Sequence, residues 1–559
     1  MKYPNWKIPA APPAPPPALL EAGYAPLLAA VLHCRGLDTP EAAAAFLSGG
    51  LQSLQNPWLL RDMDKAAARL DRAIAAGEKV AVYGDYDVDG ITAGCLMTDY
   101  LRFRGLDCRL YIPDRLEEGY GVNTAALRNL RSQGVSLVVT VDCGVTAVEE
   151  AEAAASLGLD LIITDHHQCR AELPRCAAVV DPMRPDCGYP NRELAGVGVA
   201  FKLACALEGN SRRCLLRYAD LVAVGTVADV MDITGENRYI VRVGLDKLYE
   251  RPRPGLQALL EAAGLGGKRP TATSVGFTLA PRINAAGRLG KAGVAAELIL
   301  ETAPARCREL ADTLCQMNRE RQAIEGRIWA EAKDILSRHP PTGPIVLAGE
   351  GWHQGVIGIA ASRLAEAYRF PAVMICLDGD LGKGSCRSYG GFPLYDALAA
   401  CREYLEGFGG HAMAAGLTIR RESLEGFRRA LNAYYAAHPP RSAPCLEAEL
   451  RIEDPRYLEM GSVASLDLLE PCGNGNPQPQ LCMTDVRLES IMPMGMGKHL
   501  RLRLSKFRQN YEAVFFSQSL SELGLAEGQR ADVMFFPQIN EFRSRRSVQL
   551  LVTDLRPAQ

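Results

Sequence analysis

The residues best suited to chemistry in this 559-residue chain fall in four short stretches. GDYDVDG supplies Asp85, Asp87 and Asp89, VDCG supplies Asp142, LIITDHHQ supplies Asp165, His166 and His167, and GTVADVMD supplies Asp229. Carboxylates and imidazoles are costly to bury without partners. So many acids can share a small site in the ionised form only if cations neutralise them. Two divalent metals bridged by a carboxylate would do so. Oxygen ligands alone suit magnesium or calcium, and added imidazole moves the preference toward manganese. A pair of such ions about 3.5–4 Å apart can activate water and stabilise a phosphoryl oxygen during in-line attack. The expected chemistry is therefore hydrolysis of a phosphate ester. D-x-D-x-D-G also opens like a calcium-binding loop, but the twelfth position counted from Asp85 is Leu96 where that loop requires glutamate.

Each stretch alone has a duller reading. Asp142 alone would be a loop acid, His166 and His167 an exposed pair, and Asp229 one acid of a helix-like run that also holds Asp232. The signal is their recurrence after apolar runs. KVAVY (79–83), CRLYI (108–112), SLVVTV (136–141), LIIT (161–164) and AAVV (177–180) alternate with helical stretches such as ITAGCLMTDYLRFRG and TAVEEAEAAASLG. Continuous apolar strands with helical crossovers predict a parallel sheet covered on both faces, an α/β domain of the doubly wound type. In such a sheet the carboxyl ends of the strands line the ligand crevice, so the motifs converge there.

Before this region lies a proline-rich tether at residues 11–17, followed by helical patterns to about Gly77. Beyond about residue 240 the pattern turns helical. From Pro304 to His339, Leu310, Leu314, Met317, Ile324, Ile328 and Ile335 recur at helical spacing, with Thr302 as cap and Pro340 as stop. One helix of that length would be about 50 Å long and could join two lobes, whereas a break would give two shorter helices. A second α/β pattern runs from PIVLAGEG (344–351) through VIGIAASRLAEAY and PAVMICL to FGGHAMAAGL. From about residue 440 short strands are expected. KHLRLRLSKF alternates polar and apolar residues and is followed by EAVFF, ADVMFF and SVQLLV, a pattern that suits a small β-barrel such as the oligonucleotide-binding (OB) fold.

The chain is too long for one hydrophobic core. Its 48% hydrophobic and 23% charged residues are ordinary for a globular protein, and its net charge of −3 gives no global sign of nucleic acid. The 17 cysteines include no C-x-x-C pair, against both a disulfide framework and a structural zinc site. No apolar run is long enough to span a membrane, and the first residues lack the form of a signal peptide, which together point to the cytoplasm.

GDYDVDG, VDCG, TDHH and GTVADV, in this order, resemble the four metal-binding motifs of the DHH phosphoesterase superfamily, and GGHAMAAG (409–416) resembles the signature of its associated second domain. PRINAAGRL (281–289), GWHQGVIGIAASRL (351–364) and EPCGNGNPQP (470–479) are similar to segments of the bacterial exonucleases of that superfamily. The resemblance covers nearly everything from about residue 50 to the C-terminus. It implies two α/β lobes, a DHH domain with a parallel sheet and a DHH-associated domain, joined by a long helix and followed by an OB-like barrel. The corresponding divisions are a tether and helical segment (1–76), a catalytic domain (77–240), a helical connector (241–340), a substrate-binding domain (341–439) and a nucleic-acid-binding domain (440–559).

The implied activity is a 5′→3′ exonuclease specific for single-stranded DNA, acting in recombination and repair with two Mn²⁺ or Mg²⁺ ions per site. By the same resemblance Asp85, Asp87, Asp142, His166 and Asp229 are metal ligands, Asp89, Asp165 and His167 complete the motifs, and His167 lies close to the scissile phosphate. Ser385, Arg387 and Ser388 of GKGSCRSYGG (382–391) would hold a 5′ phosphate, aided by Arg115 and Arg288, with Arg282, Asn284 and His411 also at the substrate. In the barrel, Lys498, Arg501 and Arg503, together with His499, Lys506, Arg543, Arg545 and Arg546, could track a phosphate backbone, and Phe507, Tyr511 and Phe542 could stack on bases. Partners implied are single-stranded DNA, a single-strand-binding protein and an unwinding helicase, with no membrane and a monomeric state. Two other readings stay open. One is a phosphoesterase for short oligonucleotides or cyclic dinucleotides. The other is a non-catalytic scaffold that binds single strands, as in a eukaryotic replication-helicase subunit of the superfamily.

Overall fold

The computed structural model describes residues 3–10, 14–440, 445–542 and 545–558. The chain forms two compact units, residues 53–442 and residues 1–52 with 443–559.

The first sheet of the larger unit has five strands: β1 (Val80–Tyr83), β2 (Cys108–Tyr111), β3 (Leu137–Val141), β4 (Asp160–Thr164) and β5 (Ala178–Val180). All neighbours are parallel and the order is β2-β1-β3-β4-β5. Alternate side chains enter different cores, as the two-residue period of a strand requires. Val80, Val82, Val139, Val141 and Ile162 pack on one face, while Ala81, Tyr83, Val138, Leu161 and Ile163 pack on the other. This accounts for the uninterrupted apolar runs. The chain leaves β1 for β2 on one side and returns to β3 on the other, so the strand order reverses between β1 and β3. An open α/β sheet offers its ligand crevice at such a point.

The wholly helical stretch begins before the expected residue 240, at Gly196. α1 (Val88–Phe103) covers the sheet, followed later by α2 (Gly196–Glu208) and α3 (Ser211–Ala228). α2 is almost wholly buried, so it lacks a polar stripe, and its valines and small residues give it the texture of a strand. α4 (Ala280–Arg288) leads toward α5 (Pro304–Arg338), which is unbroken over 35 residues, about 52 Å. Thr302 is not its cap. Ala303 occupies that position without a side-chain hydrogen bond, and Glu301 accepts from the amides of Thr302 and Ala303. The first part of α5 buries Leu310, Leu314 and Met317 in the core of the first lobe, and its last turns bury Ile328, Ala332 and Leu336 in that of the second.

The second lobe has a mixed sheet: β6 (Ile345–Glu350), β7 (Ala372–Asp378), β8 (Leu381–Arg387), β9 (Leu405–Gly410) and β10 (Ala414–Arg420) in the order β9-β10-β8-β7-β6. Only β6 and β7 are parallel. α6 (Gln354–Tyr368) packs on one face of this sheet.

In the other unit, β11 (Leu481–Met494), β12 (His499–Lys506), β13 (Gln509–Phe515), β14 (Arg530–Phe542) and β15 (Arg545–Pro557) form a barrel closed by β11 pairing with β14. Three of its strands run to 13 or 14 residues, longer than the short strands expected. The N-terminal segment joins this unit: Asn5–Lys7 pairs with Cys445–Glu447, and Leu27, Leu28, Val31 and Leu32 enter the barrel core. Residues 11–13 of the expected tether lie outside the described residues, and Pro17 already begins a helix. The described cysteines form no disulfide, and 15 of them are buried or half-buried. Among the described residues no helix is long and apolar enough to cross a membrane.

Candidate metal centre and the cleft beside it

The strand-end acids meet at the crevice between β1 and β3. Asp85 follows β1, with only 4% of its surface exposed. Asp87 caps α1, its Oδ1 accepting from the Gly90 amide at 3.0 Å, and Asp89 lies in the first turn of that helix. Asp142 follows β3 with its backbone in the left-handed region at φ 60, a conformation an aspartate tolerates better than most residues. Asp229 sits at the C-terminal end of α3. Ligand atoms of Asp85, Asp87 and Asp142 lie within 4.8 Å of one another, as do those of Asp89, His166 and Asp229, and those of Asp142, His166 and His167. Asp142 and His166 therefore link two adjoining sets of donors.

His166 Nε2 is 3.0 Å from Asp142 Oδ1, 3.6 Å from Asp229 Oδ2 and 3.8 Å from Asp89 Oδ2. The shortest of these is not aligned as a hydrogen bond. Asp85 Oδ1, Asp142 Oδ1, His166 Nε2 and Asp229 Oδ2 are all buried without a hydrogen-bond partner, half of the eight such side-chain atoms among the described residues. Buried polar groups are ordinarily satisfied. Four orphaned lone pairs facing one space fit divalent cations.

The electrostatics agree. Burial, reinforced by Asp87, pushes the Asp85 carboxyl up to about 8. Burial pushes Asp89 up to about 6 against the pull of His166, and burial and Asp89 push Asp229 up to about 7. Asp142 is raised well above the carboxylate range by burial and by Asp89 and Asp87. His166 moves upward because the attraction of Asp89 and Asp229 outweighs its burial. These acids repel one another in a dry site and need positive charge to ionise together.

Asp89 and Asp165 have further duties. Asp89 Oδ2 and Oδ1 accept from the amides of Gly196 and Val197 at 2.6 and 2.9 Å, at the N-terminus of α2, where helix geometry favours an anion. Asp165 is committed on both oxygens: Oδ2 accepts from the Val145 amide at 2.8 Å, and Oδ1 from the His166 amide and from His167 Nδ1 at 2.7 Å. Burial would raise its pKa, but His167 and these amides hold it below the usual range. The same bond lifts His167 to about 9 despite its burial. Asp165 thus fixes the imidazole ring, with Nε2 3.4 Å from the Tyr120 hydroxyl.

Small residues let the pieces approach. A Cβ on Gly196 would lie 2.5 Å from Asp142 Cβ, and one on Gly287 in α4 would lie 2.1 Å from the Tyr86 carbonyl oxygen. PRINAAGRL therefore packs α4 directly on the first acidic motif. Gly196→Ala is expected to displace Asp142 and to lower turnover by about 100-fold, the scale of an ångström-sized misplacement. Initial rates, compared with a circular dichroism spectrum that stays native, check this.

Beside the acids lies a cleft of about 580 Å³ lined by Tyr86, Arg115 and Tyr120 from the first lobe and by Gly358, Ser385 and Arg387 from the second. Arg387 donates to Ser385 Oγ at 3.0 Å and to Ser362 Oγ at 3.1 Å. Arg115 stacks on the Tyr86 ring at 4.9 Å, and Arg288 donates to the Gly355 carbonyl. Burial and the positive field of Arg115, Arg321 and Arg387 press Arg288 down to about 10, and burial also lowers Arg387. Among the described residues no carboxylate forms an ion pair with Arg115, Arg288 or Arg387. Guanidinium groups crowded without counter-charge make an anion site.

Other expected substrate residues lie elsewhere or are otherwise engaged. Arg282 is turned to the Thr278 carbonyl and Cys315 Sγ. The Ser388 hydroxyl donates to the Phe392 carbonyl, and His411 is exposed in the β9–β10 turn. Asn284 is half-buried in α4 and does not line the cleft. In the barrel, Arg501 and Arg503 are exposed on β12 as alternation requires, Lys498 is exposed just before it, and Arg545 and Arg546 are exposed on β15. Arg503 pairs with Glu512, Lys506 donates inward to the Thr484 carbonyl, and His499 accepts from the Ser517 amide. Tyr511 is buried in the barrel core and Phe507 packs against that core, so neither presents a free ring. Arg543 and the side chain of Phe542 lie outside the described residues.

Two residues of the site were not anticipated. Tyr120 places its hydroxyl 3.3 Å from His167 Nδ1, but it belongs to an irregular loop without any periodic signal. Asp181 follows β5 and is fully buried, Oδ2 lacks a partner, and burial with Asp165 pushes it up to about 7. Its signal, AAVV followed by aspartate, was the same strand-end pattern that marked the others.

Three family models match the chain: the DHH family N-terminal domain over residues 79–226, the DHHA1 domain over 342–437 and the RecJ OB domain over 449–554. The single-stranded-DNA-specific exonuclease RecJ of Bacillus subtilis (strain 168) is 38% identical over 537 residues, covering 95% of this chain and 68% of the relative. Crystal structures of Thermus thermophilus RecJ in complex with Mn²⁺ and with Mg²⁺ superpose with TM-scores of 0.85 and 0.80 at 30% and 29% identity. Each covers 99% of this chain, with 80% and 79% of the respective crystallised chains covered. With its motifs in order along one chain and its domains matched from the DHH sheet to the barrel, the protein belongs to the RecJ family.

Proposed function

We propose that the protein is a metal-dependent exonuclease that hydrolyses the phosphodiester bonds of single-stranded DNA from the 5′ end. The observation that carries this reading is the set of four orphaned buried donors on Asp85, Asp142, His166 and Asp229, set beside a cleft of unpaired arginines. It is supported by the single-stranded-DNA-specific exonucleases in the same family and by the Mn²⁺ and Mg²⁺ complexes of the Thermus relative.

Asp85, Asp87, Asp142, His166 and Asp229 would hold two divalent cations. The ions supply charge neutralisation for the phosphate and activation of the attacking water. His167, its Nδ1 proton held by Asp165, presents Nε2 to the phosphoryl group and stabilises the charge developing on an oxygen there. Arg387, Arg115 and Arg288 bind the terminal phosphate, with Ser385 orienting Arg387. A terminal-phosphate site measures the cut from one chain end and so sets direction. Ser388, His411, Arg282 and Asn284 would contact the strand beyond this cleft. Residues 77–240 would form the catalytic domain and 341–439 the phosphate-binding domain. Residues 440–559 would track the strand with Lys498, Arg501 and Arg503. A cytoplasmic monomer working with a single-strand-binding protein and a helicase completes the proposal.

Digestion of single- and double-stranded DNA labelled at either end, with and without a 5′ phosphate, tests it. Release from the 5′ end of single strands is expected, and release from the 3′ end would overturn the assigned direction. Arg387→Ala is expected to weaken use of 5′-phosphorylated substrate about 10- to 100-fold, the scale of a lost charged hydrogen bond. The same change should scarcely affect a 5′-hydroxyl substrate.

A further inference from the structure

We infer that Phe277 and Val230 form an apolar lip beside Asp229 against which the base 3′ to the scissile bond stacks, an inference that rests on the exonuclease reading above. Two departures from ordinary backbone geometry converge here. α3 ends at Ala228, Asp229 follows, and Val230 then adopts φ 59. A left-handed conformation at a helix end is usually taken by glycine, and for a β-branched residue it is strained. The Val230 amide still donates to the Val227 carbonyl at 3.3 Å, and the Met231 amide to that of Thr226 at 3.2 Å, so the helix end holds Val230 in place. Its side chain is left 65% exposed.

Across from this end, Val275–Leu279 forms a turn of π-helix, a form found often at functional sites. Its Gly276 lies against the last turn of α3, since a Cβ there would be 3.6 Å from Val227 Cγ1. The next residue, Phe277, is 82% exposed, more than any other large aromatic side chain among the described residues. Strained backbone tends to persist where it serves a site. Val230 exposes an apolar side chain one residue after Asp229, and Phe277 exposes another on the segment packed against the turn that leads to it.

The position selects the ligand. Arg115 lies over the ring of Tyr86, the neighbour of Asp85, and both line the arginine cleft, whereas Asp229 is grouped with Asp89 and His166. The arginine cleft thus adjoins the Asp85 side of the cluster, and Asp229 lies toward the other side. A strand whose 5′ phosphate rests on the arginines passes Asp85 first and Asp229 second, and its next base meets Phe277 and Val230. Stacking on an aromatic ring tolerates every base, which suits an enzyme that must digest any sequence.

The test is single-turnover release of the first nucleotide from a 5′-phosphorylated single strand, intact or abasic at the second nucleotide, by the wild type, Phe277→Ala and Phe277→Trp. Phe277→Ala is expected to lower the rate constant at subsaturating enzyme about 10-fold on the intact strand, within the range of base–aromatic stacking. Phe277→Trp should retain the wild-type rate. The abasic strand should slow the wild type by a similar factor and erase the difference between wild type and Phe277→Ala. An unchanged rate for Phe277→Ala on the intact strand would overturn the inference and leave the lip to a protein partner. An equal loss on both strands would also overturn it, as an indirect effect on the metal centre. Failure of the wild type to release nucleotides from any single strand would instead refute the exonuclease reading.

Discussion

Asp142→Ala is expected to reduce nucleotide release by about 1000-fold or more, the scale on which loss of one member of a concerted catalytic set is felt. Asp142 belongs to the Asp85–Asp87–Asp142 set and to the Asp142–His166–His167 set, so its loss removes a donor from both. Binding of single-stranded DNA should persist, because the arginine cleft and the basic strand of the barrel are untouched. The metal-free protein should still fold and melt close to the wild type, since relief of a buried acid held among like charges offsets the strain of alanine at φ 60. Quench-flow assays with manganese, fluorescence anisotropy and calorimetry separate the three quantities. Retained turnover would remove Asp142 from the metal centre.

Metal removal is expected to have its largest effect on stability, and that effect should grow with pH. The Asp85 carboxyl is raised in the folded protein to about 8, from an unfolded value near 4. The folded state therefore holds its proton longer than the unfolded chain. Stability of the metal-free protein is fully present below about pH 4 and is lost as pH rises toward 8, by at most about 1.4 kcal/mol per pH unit for each such proton. Asp229, raised to about 7, acts in the same direction over a narrower window. Manganese competes with those protons, so its stabilisation should be larger at pH 8 than at pH 5.5. Melting curves with EDTA and with excess manganese at the two pH values measure this. Equal metal-induced shifts would contradict a site whose acids are held protonated by burial and by one another.

The sequence displays this site clearly because a parallel strand buried on both faces is a continuous apolar run, and the polar residue that ends it stands out. Asp85, Asp142 and Asp165 are legible for that reason. Asp181 follows the same rule and is easily passed over, because it stands alone without a second acid or a histidine. Tyr120 leaves no trace, since a loop residue is positioned by tertiary contacts. Helix α2 can be mistaken for strand-like texture because burial on nearly all sides removes the polar stripe that reports a helical period. The sharing of one core by residues 27–32 and the C-terminal barrel depends on contacts more than 400 positions apart, which no local pattern records. Alternation on β12 identifies its exposed face, yet it cannot reveal that Lys506 and His499 are engaged internally or that Tyr511 is core.

The central claim is that Asp85, Asp87, Asp142, His166 and Asp229 gather two divalent cations. Anomalous diffraction at the manganese edge from crystals of the protein soaked in Mn²⁺ tests it most directly. Two peaks about 4 Å apart are expected, both within coordination distance of Asp142, one shared with Asp85 and Asp87 and the other with His166 and Asp229. Manganese bound only at other carboxylates, with these side chains left without any peak, would contradict it.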